Sequence, residues 1–411
     1  MTHTAQTVND LAVVLKERAA VELQARAADV LELSHAIHAD PEVSWEEHRA
    51  AARVADLLEA SGFAVTRGAY GVPTAVEASI GSGDLTVVLC AEYDALPGIG
   101  HGCGHNVIAA AGVGAALALA PVADEAGLTV RLLGTPAEEH GGGKVSLLNA
   151  GAWEGVDFSM MVHGMTGVDG SAGGMGSTAV ERFEVVFTGQ TAHAAAMPEQ
   201  GINAAAAATV ALVALGLLRQ HVPKATNMNA FISEGGQATN IIPDRAVVQV
   251  ELRAFDLEVW RDLKRRVLAC FEGAAIATGC TWAWQLTEHP YAMVDSDPDL
   301  ARFWDANLVA RGRTIVPASS VGGGSTDMGN VSQVVPAIHP MIAFLGEVGP
   351  AHSPTFTISA ATPAADDAAL DGAALLAWTA LDAALDPDLR ADLKRRTAAR
   401  PPGATQVPFT S

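Results

Sequence analysis

Residues 85–106, LTVVLCAEYDALPGIGHGCGHN, contain an apolar run followed by a cluster of potential metal ligands. The run LTVVLC (85–90) predicts a buried strand, and the alanine-rich segment 106–120 predicts the helix that follows it. The loop between them therefore lies at the carboxyl end of a strand, where open α/β sheets bind their ligands. Cys103 and His105 in this loop can both bind a metal ion, and the neighbouring glycines let the backbone turn tightly around it.

Two other interpretations of this loop remain open from its residues alone. The alternating glycines resemble part of a dinucleotide-binding fingerprint, but no acidic residue follows a second strand at the distance that fingerprint requires. Cys103 is also compatible with an inert buried thiol, because a single Cys-x-His pair is no established metal spacing. The choice between these interpretations depends on the rest of the chain.

The composition limits the class of protein. The chain has 411 residues, of which 46 are acidic and 25 basic, and its formal net charge is −21. This charge argues against nucleic acid or an anionic membrane as the partner. Four cysteines in so long a chain predict no disulfide framework, and we find neither a signal peptide nor a transmembrane segment by pattern. We therefore expect a cytoplasmic protein.

The order of apolar runs and helical segments predicts two domains of an α/β protein. Up to residue 180, and again from residue 289, short apolar runs alternate with helices, which indicates a mixed sheet with helices on its faces. Residues 181–288 contain a strand, a helix, two strands, a helix and a strand, which predicts an inserted α+β domain. The tail 400–411 contains three prolines and is expected to be disordered.

Further potential ligands follow three more of the predicted strands. They are Glu138 and Glu139 after strand 129–134, His163 after strand 158–162, and His352 shortly after strand 342–345. Each has an ordinary explanation alone, since Glu-Glu is commonly a solvated loop and a single histidine is commonly part of a core. Their shared position at strand ends favours one metal site together with the Cys-x-His loop. Adjacent carboxylates diverge, so one is expected to bind metal and the other to act as general base.

These motifs resemble those of the M20 metallopeptidase family along nearly the whole chain. The similar segments are EYDALPGIGHGCGHN (92–106), PAEEHGGG (136–143), VHG (162–164), TGQTAHA (188–194), NIIPD (240–244) and GSTD (324–327). The most similar branch contains the amidohydrolases: aminobenzoyl-glutamate hydrolases, indole-acetyl amino-acid hydrolases, aminoacylases and dipeptidase-like proteins. The resemblance implies a two-domain, zinc-peptidase-like fold, in which the inserted domain is a lid that also forms a homodimer.

The resemblance also implies roles for individual residues. One or two divalent ions, Zn²⁺ or Mn²⁺ with Co²⁺ as a further candidate, are implied to bind Cys103, His105, Glu139, His163 and His352. The implied catalytic residues are Glu138 as general base and His193 as the group that polarises the scissile carbonyl, in its own or the partner subunit. The other implied site residues are Asn240, Arg253 and Ser325, which would bind substrate, and Asp94, which would orient a ligand.

Two positions depart from the family pattern. Asn106 stands where many relatives have Asp, and Glu92 stands where the peptidase branches have a ligating His. The second departure leaves occupancy by a single ion open.

The expected activity is metal-dependent hydrolysis of an amide in a small molecule, by activated water with Glu138 as the base. The amide would belong to an N-acyl or aminoacyl amino acid, or to an aminobenzoyl-glutamate-like conjugate. Three alternatives remain: a thiol hydrolase with Cys103 as nucleophile, a hydrolytic deaminase of an aromatic amine at the same site, and a non-catalytic binding protein. Activity that survives chelation but is lost on thiol alkylation would favour the first.

Overall fold

The computed structural model describes residues 2–174, 176–316, 324–346, 348–401 and 403. The contacts among them define two units. Unit 1 contains the described residues up to Gly176, those of 294–316 and those from Thr326 onward, and unit 2 contains Ser177–Met293 with Gly324 and Ser325. The predicted domain bounds stay a prediction: a catalytic domain in two parts, 1–180 and 289–411, and an inserted lid and dimerisation domain, 181–288. The predicted disorder of the tail concerns residues that, apart from 400, 401 and 403, lie outside the described ones.

The α-helices and β-strands of the described residues are numbered in chain order. The helices are α1 (Thr2–Ala25), α2 (Ala27–Ala39), α3 (His48–Ala60), α4 (His105–Leu119), α5 (Ala123–Ala126), α6 (Gly143–Asn149), α7 (Ala204–Leu218), α8 (Leu257–Thr278), α9 (Pro298–Ala310), α10 (Met328–Ser332), α11 (Pro354–Ser359), α12 (Pro363–Leu385) and α13 (Pro387–Ala399). The strands are β1 (Ala64–Arg67), β2 (Val76–Ile80), β3 (Leu85–Ala91), β4 (Leu128–Gly134), β5 (Phe158–Met160), β6 (His163–Met165), β7 (Ala179–Thr188), β8 (Thr226–Glu234), β9 (Arg245–Ala254), β10 (Thr281–Leu286), β11 (Ala337–Ile338) and β12 (Met341–Ala343).

Unit 1 is built on a mixed six-stranded sheet in the order β1-β2-β4-β3-β5-β11. Strands β4, β3, β5 and β11 are parallel, while β1 and β2 are antiparallel to their neighbours. A separate short pair, β6 and β12, is also parallel. Because parallel strands end at the same edge, the loops after β3, β4 and β5 meet there. This confirms the predicted α/β class with a mixed sheet.

Helix α4 covers the centre of this sheet, and all of its residues are buried. It contains mainly alanine and glycine, which allow a close approach: a Cβ on Gly112 would lie 2.8 Å from the backbone oxygen of Cys90 in β3. Helix α12, also alanine-rich and largely buried, packs against α4. The small residues therefore fix the first turn of α4, which carries His105, directly beside the end of the central strand.

Three helical segments are long and apolar enough, by length and composition alone, to span a membrane. In residues 105–126 and 363–385 the apolar window is 89% and 72% buried inside the protein, as expected of core helices. In residues 204–221 it is only 28% buried. The alanine content of residues 202–218 predicts a packed helix, and the structure buries mainly the alanine face of this helix while larger apolar side chains stay exposed.

Unit 2 contains a four-stranded antiparallel sheet in the order β10-β7-β9-β8, with α7 and α8 packed on it. Alternate residues of β7, namely Phe183, Val185 and Phe187, are fully buried in the core formed with these helices. The Asn203 side chain caps α7 by accepting from the Ala206 N–H at 3.0 Å, and Asp256 caps α8 in the same way. The order of elements is the one the sequence predicted for the inserted domain.

The structure differs from the sequence prediction at several places. The helical periodicity of residues 8–38 predicts a single helix, but the structure has two helices that are separated at Arg26, where no proline or glycine signals a break. Strands β1 and β11 were not predicted, because segments of four and two residues are too short to show a periodicity. His163 begins the separate strand β6 instead of directly following β5.

Candidate metal centre and active site

The five implied ligands form two clusters that share Cys103. One contains Cys103, His105 and His163, the other contains Cys103, Glu139 and His352, and within each the ligand atoms lie within 4.8 Å of one another. Cys103 Sγ is 3.4 Å from His163 Nε2, and His352 Nε2 is 3.7 Å from Glu139 Oε2. Thiolate, imidazole and carboxylate ligands suit zinc and similar ions. The arrangement fits two divalent ions that share one sulfur.

Hydrogen bonds orient two of the histidines toward these clusters. His105 Nδ1 lies 2.9 Å from the backbone oxygen of Asp94, and His163 Nδ1 lies 2.6 Å from the backbone oxygen of Gly164. Each Nδ1 therefore donates a proton to a carbonyl, which leaves the Nε2 lone pair free to bind a metal. His105 Nε2 and Glu139 Oε1 are buried and have no hydrogen-bond partner among the described residues. Unpartnered buried atoms of this kind are expected where an ion binds.

Asp94 connects the Cys-x-His loop with the Glu-Glu loop. One of its carboxylate oxygens lies 3.1 Å from His105 Nδ1, and the other accepts the backbone N–H of Glu139 at 3.0 Å and the Ser44 hydroxyl at 2.8 Å. Burial raises the pKa of Asp94, but the charge of His105 and its hydrogen bond outweigh burial, so the pKa lies well below its ordinary value. Asp94 thus remains an acceptor that orients one ligand and positions the loop of another.

Glu138 is buried next to the clusters, and its Oε2 lies 3.7 Å from His105 Nε2. Burial, followed by repulsion from Glu92, raises the pKa of Glu138 well above the ordinary carboxyl value. The residue before it, Ala137, has a left-handed backbone with φ of 57°, and its N–H donates to the Glu47 carboxylate at 2.8 Å. Strain of this kind, fixed by a buried hydrogen bond, is typical of functional sites.

His352 has the second left-handed backbone at this site. Its φ is 62°, and its N–H donates to the backbone oxygen of Gly102 at 2.8 Å. This bond holds the loop after β12 against the Cys-x-His loop. The sequence predicted the position of His352 from the strand before it, whereas this backbone conformation had no signal in the sequence.

The environment of Cys103 disfavours the thiol-hydrolase alternative. Burial raises the pKa of the Cys103 thiol to about 12. A nucleophilic cysteine requires a lowered pKa, whereas a metal ligand acquires its thiolate form by binding the cation.

Unit 2 places the other implied site residues in two pairs. The exposed residues His193 and Asn240 lie on adjacent backbone segments, joined by the Ala194 N–H that donates to the Asn240 oxygen at 3.0 Å. Arg253 donates to the Ser325 hydroxyl at 3.0 Å and to the Glu251 carboxylate at 2.9 Å. Among the described residues, Arg253 thus forms an ion pair with Glu251.

Several nearby residues have roles that the sequence did not resolve. Asn106, at a position where relatives have Asp, donates to the Ser34 hydroxyl and the Ala360 oxygen and so anchors α4. Buried His101, which was left out of the ligand set, has its Nε2 3.1 Å from the Ile37 oxygen. Lys144, Glu92 and Asp327 form a fully buried ionic group beside the site. The sequence did not predict that Lys144, which follows three glycines at the start of a helix, is buried.

Comparison with known proteins identifies the family. The model of the M20 peptidase dimerisation domain matches residues 178–278. The Xaa-Arg dipeptidase of Mus musculus is 37% identical over 394 residues, which cover 92% of this chain and 90% of that protein. The chain belongs to the M20 peptidase family. It is accordingly a hydrolase that acts on C–N bonds.

Two further proteins are similar to this chain in sequence or fold. The N-acetyl-L-cysteine deacetylase of Bacillus subtilis (strain 168) is 29% identical over 382 residues, which cover 86% of this chain and 89% of that protein. The crystal structure of a dinuclear metal-binding M20 peptidase from Bacillus subtilis matches with a TM-score of 0.68 and 22% identity, over 87% of this chain and 99% of that chain. The latter likeness supports the two-unit M20 fold.

Proposed function

We propose that this M20 hydrolase is a two-ion dipeptidase that cleaves the amide bond of an aminoacyl amino acid. The observation that carries the proposal is the pair of ligand clusters that share Cys103, with the buried carboxylate of Glu138 beside them. The five ligand residues and Glu138 all belong to unit 1, where they lie in or next to the segments that follow its parallel strands. Zn²⁺ and Mn²⁺ are the proposed ions, since sulfur and imidazole favour the first and the carboxylate tolerates the second.

The residues of unit 1 provide binding and proton transfer for this reaction. Divalent ions held by the two clusters would supply Lewis acidity, which lowers the pKa of water from about 15.7 to about 7. Glu138 takes a proton from the attacking water as the oxygen–carbon bond forms, and returns it to the amine nitrogen as the carbon–nitrogen bond breaks. Asp94 keeps Nδ1 of His105 protonated, so that Nε2 remains the ligand atom throughout.

The substrate preference is proposed from a relative and from charge. The mouse relative is named a dipeptidase for Xaa-Arg, and the net charge of −21 on this chain attracts cationic substrates. We propose dipeptides with a carboxyl-terminal Arg or Lys, for which Arg253 and Ser325 would bind the carboxylate. The roles of Asn240 in substrate binding and of His193 at the scissile carbonyl stay predictions, as does a cytoplasmic location.

A substrate screen tests this function. Protein freed of metal and reloaded with Zn²⁺ or Mn²⁺ is incubated with Xaa-Arg and Xaa-Lys dipeptides, their N-acetylated forms and aminobenzoyl-glutamate, and the released amino acid is quantified. We expect cleavage of the free dipeptides with either or both ions, and none in chelated protein. Preferential cleavage of the N-acetylated forms would show that the enzyme is a deacylase and not a dipeptidase. Binding without turnover, or release of ammonia from an aromatic amine, would contradict the proposal.

We further propose that the protein is a homodimer through unit 2. Helix α7 exposes Val213 and Leu217, which are 59% and 70% exposed, and the edge strand β8 exposes Phe231 at 61%. Large exposed apolar side chains of this kind mark protein interfaces. The sequence suggests the helix 203–220 and the strand 182–188 as the parts of this interface. Because β7 is paired on both sides by β10 and β9, we propose α7 and the edge strand β8 for the contact.

Charge substitution on α7 tests the dimer. In Leu217→Glu we expect a loss of about 2 kcal/mol of association free energy or more, because a buried carboxylate replaces an apolar contact. Light scattering after gel filtration should then show a monomer where the wild type shows a dimer. Ile276→Glu, on an exposed part of α8, is the control and should remain dimeric. A wild-type monomer, or a dimer that Leu217→Glu leaves intact, would contradict this interface.

A further inference from the structure

Lys144 lies at the centre of a buried ionic group next to the ligand clusters. The side chains of Lys144, Glu92 and Asp327 are fully buried. Lys144 Nζ donates to Asp327 Oδ1 at 2.7 Å and to Glu92 Oε1, and the Lys144 backbone N–H donates to Asp327 Oδ2 at 2.8 Å. Both oxygens of Asp327 are therefore used by Lys144. Only one oxygen of Glu92 is used in this way.

The second oxygen of Glu92 faces the candidate metal centre. Glu92 Oε2 is buried and has no hydrogen-bond partner among the described residues. It lies 3.6 Å from His105 Nε2, which is also buried without a hydrogen-bond partner in the described part of the chain. Ligand atoms of Glu92, His105 and Glu138 all lie within 4.8 Å of one another. A carboxylate oxygen left unpartnered in a protein interior is costly, so its position requires an explanation.

The charges of Lys144, Glu92 and Asp327 do not balance among themselves. Glu92 and Asp327 contribute two negative charges and Lys144 one positive charge, so one buried negative charge remains. Asp327 alone is enough to neutralise Lys144, and it uses both of its oxygens to do so. A buried charge is stable only when it is paired or coordinates a metal. The excess charge and the unpartnered oxygen both belong to Glu92.

We propose that Glu92 is a sixth metal ligand, which binds through Oε2 the same ion as His105 while Lys144 holds Oε1. This inference rests on the proposed two-ion function and adds a ligand to it. Glu92, which stands where the resemblance implies a ligating histidine in the peptidase branches, thus supplies a carboxylate to the same centre. Lys144 and Asp327 fix the rotamer of Glu92. A single carboxylate oxygen is therefore already oriented toward the ion site in the metal-free protein.

The substitution Glu92→Gln isolates this role. The amide keeps an oxygen acceptor for Lys144, and Asp327 still neutralises the lysine, so the interior charge stays balanced. The binding of Zn²⁺ is measured by competition with a chromophoric chelator, and the environment of the ion by the visible spectrum of the Co²⁺-loaded protein. We expect the wild type to bind two ions. In Glu92→Gln one ion should bind as it does in the wild type, and the other should bind at least about 10-fold more weakly. Losing even an outer partner of a metal site costs about that much, and we expect the loss of a direct ligand to cost no less.

Two further variants separate ligation from a structural role. Asp327→Asn removes the negative charge of the other partner of Lys144 but no atom that faces His105, and it should leave both zinc dissociation constants near the wild-type values. Glu92→Asp keeps the charge but is one methylene shorter, so it should pair with Lys144 and still lose the same ion. Scanning calorimetry of each metal-free variant shows whether it is folded. If Glu92→Gln does not fold, Glu92→Asp decides the question.

The outcomes distinguish this inference from the proposed function. Unchanged zinc constants and an unchanged cobalt spectrum in a folded Glu92 variant overturn it, because Glu92 would then only be a counterion of Lys144. Equal weakening by Glu92→Gln and Asp327→Asn also overturns it, since the ionic group would then act as a brace for the fold. A wild-type protein that binds no ion contradicts the proposed function itself.

Discussion

Replacement of Glu138 by Gln is expected to lower kcat by roughly 10²- to 10⁴-fold while the protein keeps both ions. The amide has nearly the shape of the carboxylate but cannot take a proton from water. Glu138 is buried beside the ligand clusters, and its pKa is raised by burial and by repulsion from Glu92. Steady-state kinetics with the best dipeptide from the screen, together with elemental analysis, measure both effects.

Glu139→Gln is the matched control, because it makes the same chemical change at the adjacent residue. Glu139 lies in the cluster with Cys103 and His352, so its loss should weaken the binding of one ion. At saturating metal, Glu139→Gln should recover part of its activity and Glu138→Gln should recover none. Wild-type turnover in Glu138→Gln, or recovery of that variant by added metal, would remove Glu138 as the base.

Replacement of Cys103 by Ala is expected to weaken the binding of both ions, because Cys103 is the one residue that the two implied ligand clusters share. His163→Ala and His352→Ala should each weaken one ion. For each ion, Cys103→Ala should weaken zinc binding by more than the roughly 10- to 100-fold that follows removal of an outer partner of a metal site. Ion stoichiometry is measured by elemental analysis after equilibrium dialysis against buffered Zn²⁺.

Thermal unfolding gives an independent measure of the same effect. Because ions bind the folded state, zinc should raise the unfolding temperature of the wild type and raise that of Cys103→Ala much less. Cys270→Ala, in unit 2, controls for the loss of a thiol and should behave as the wild type does. A Cys103→Ala protein that retains two ions would show that no sulfur is shared.

The positions of the ligands could be predicted from the sequence because they depend on strand direction. Parallel β3, β4 and β5 end at one edge, which brings the loops that carry Cys103, Glu138 and Glu139 together. The Cys-x-His loop became interpretable only with the other strand ends, since alone it also fits a buried thiol. The separate pair β6 and β12 was not predicted. Because these two strands are also parallel, the argument from strand direction applies to His163 and to the loop that leads to His352 as well.

The remaining features of the site depend on side-chain burial, which periodicity does not show. Lys144 follows three glycines at the start of α6, where a lysine is ordinarily solvated, but the fold encloses it between two carboxylates. In the sequence, Glu92 was singled out only because it stands where the peptidase branches have a ligating histidine. Its orientation toward His105 depends on Lys144 and Asp327, which lie 52 and 235 positions away in the chain, as their numbers show. A group of three residues so far apart in the chain has no local pattern in the sequence that would predict it.

The most direct test of the two-ion site is anomalous diffraction from crystals of the zinc-loaded wild-type protein, recorded on both sides of the zinc absorption edge. Two anomalous peaks are expected within bonding distance of Cys103 Sγ, one beside His105 and His163 and the other beside Glu139 and His352. The absence of any peak at Cys103, or zinc bound only elsewhere on the chain, would contradict the account.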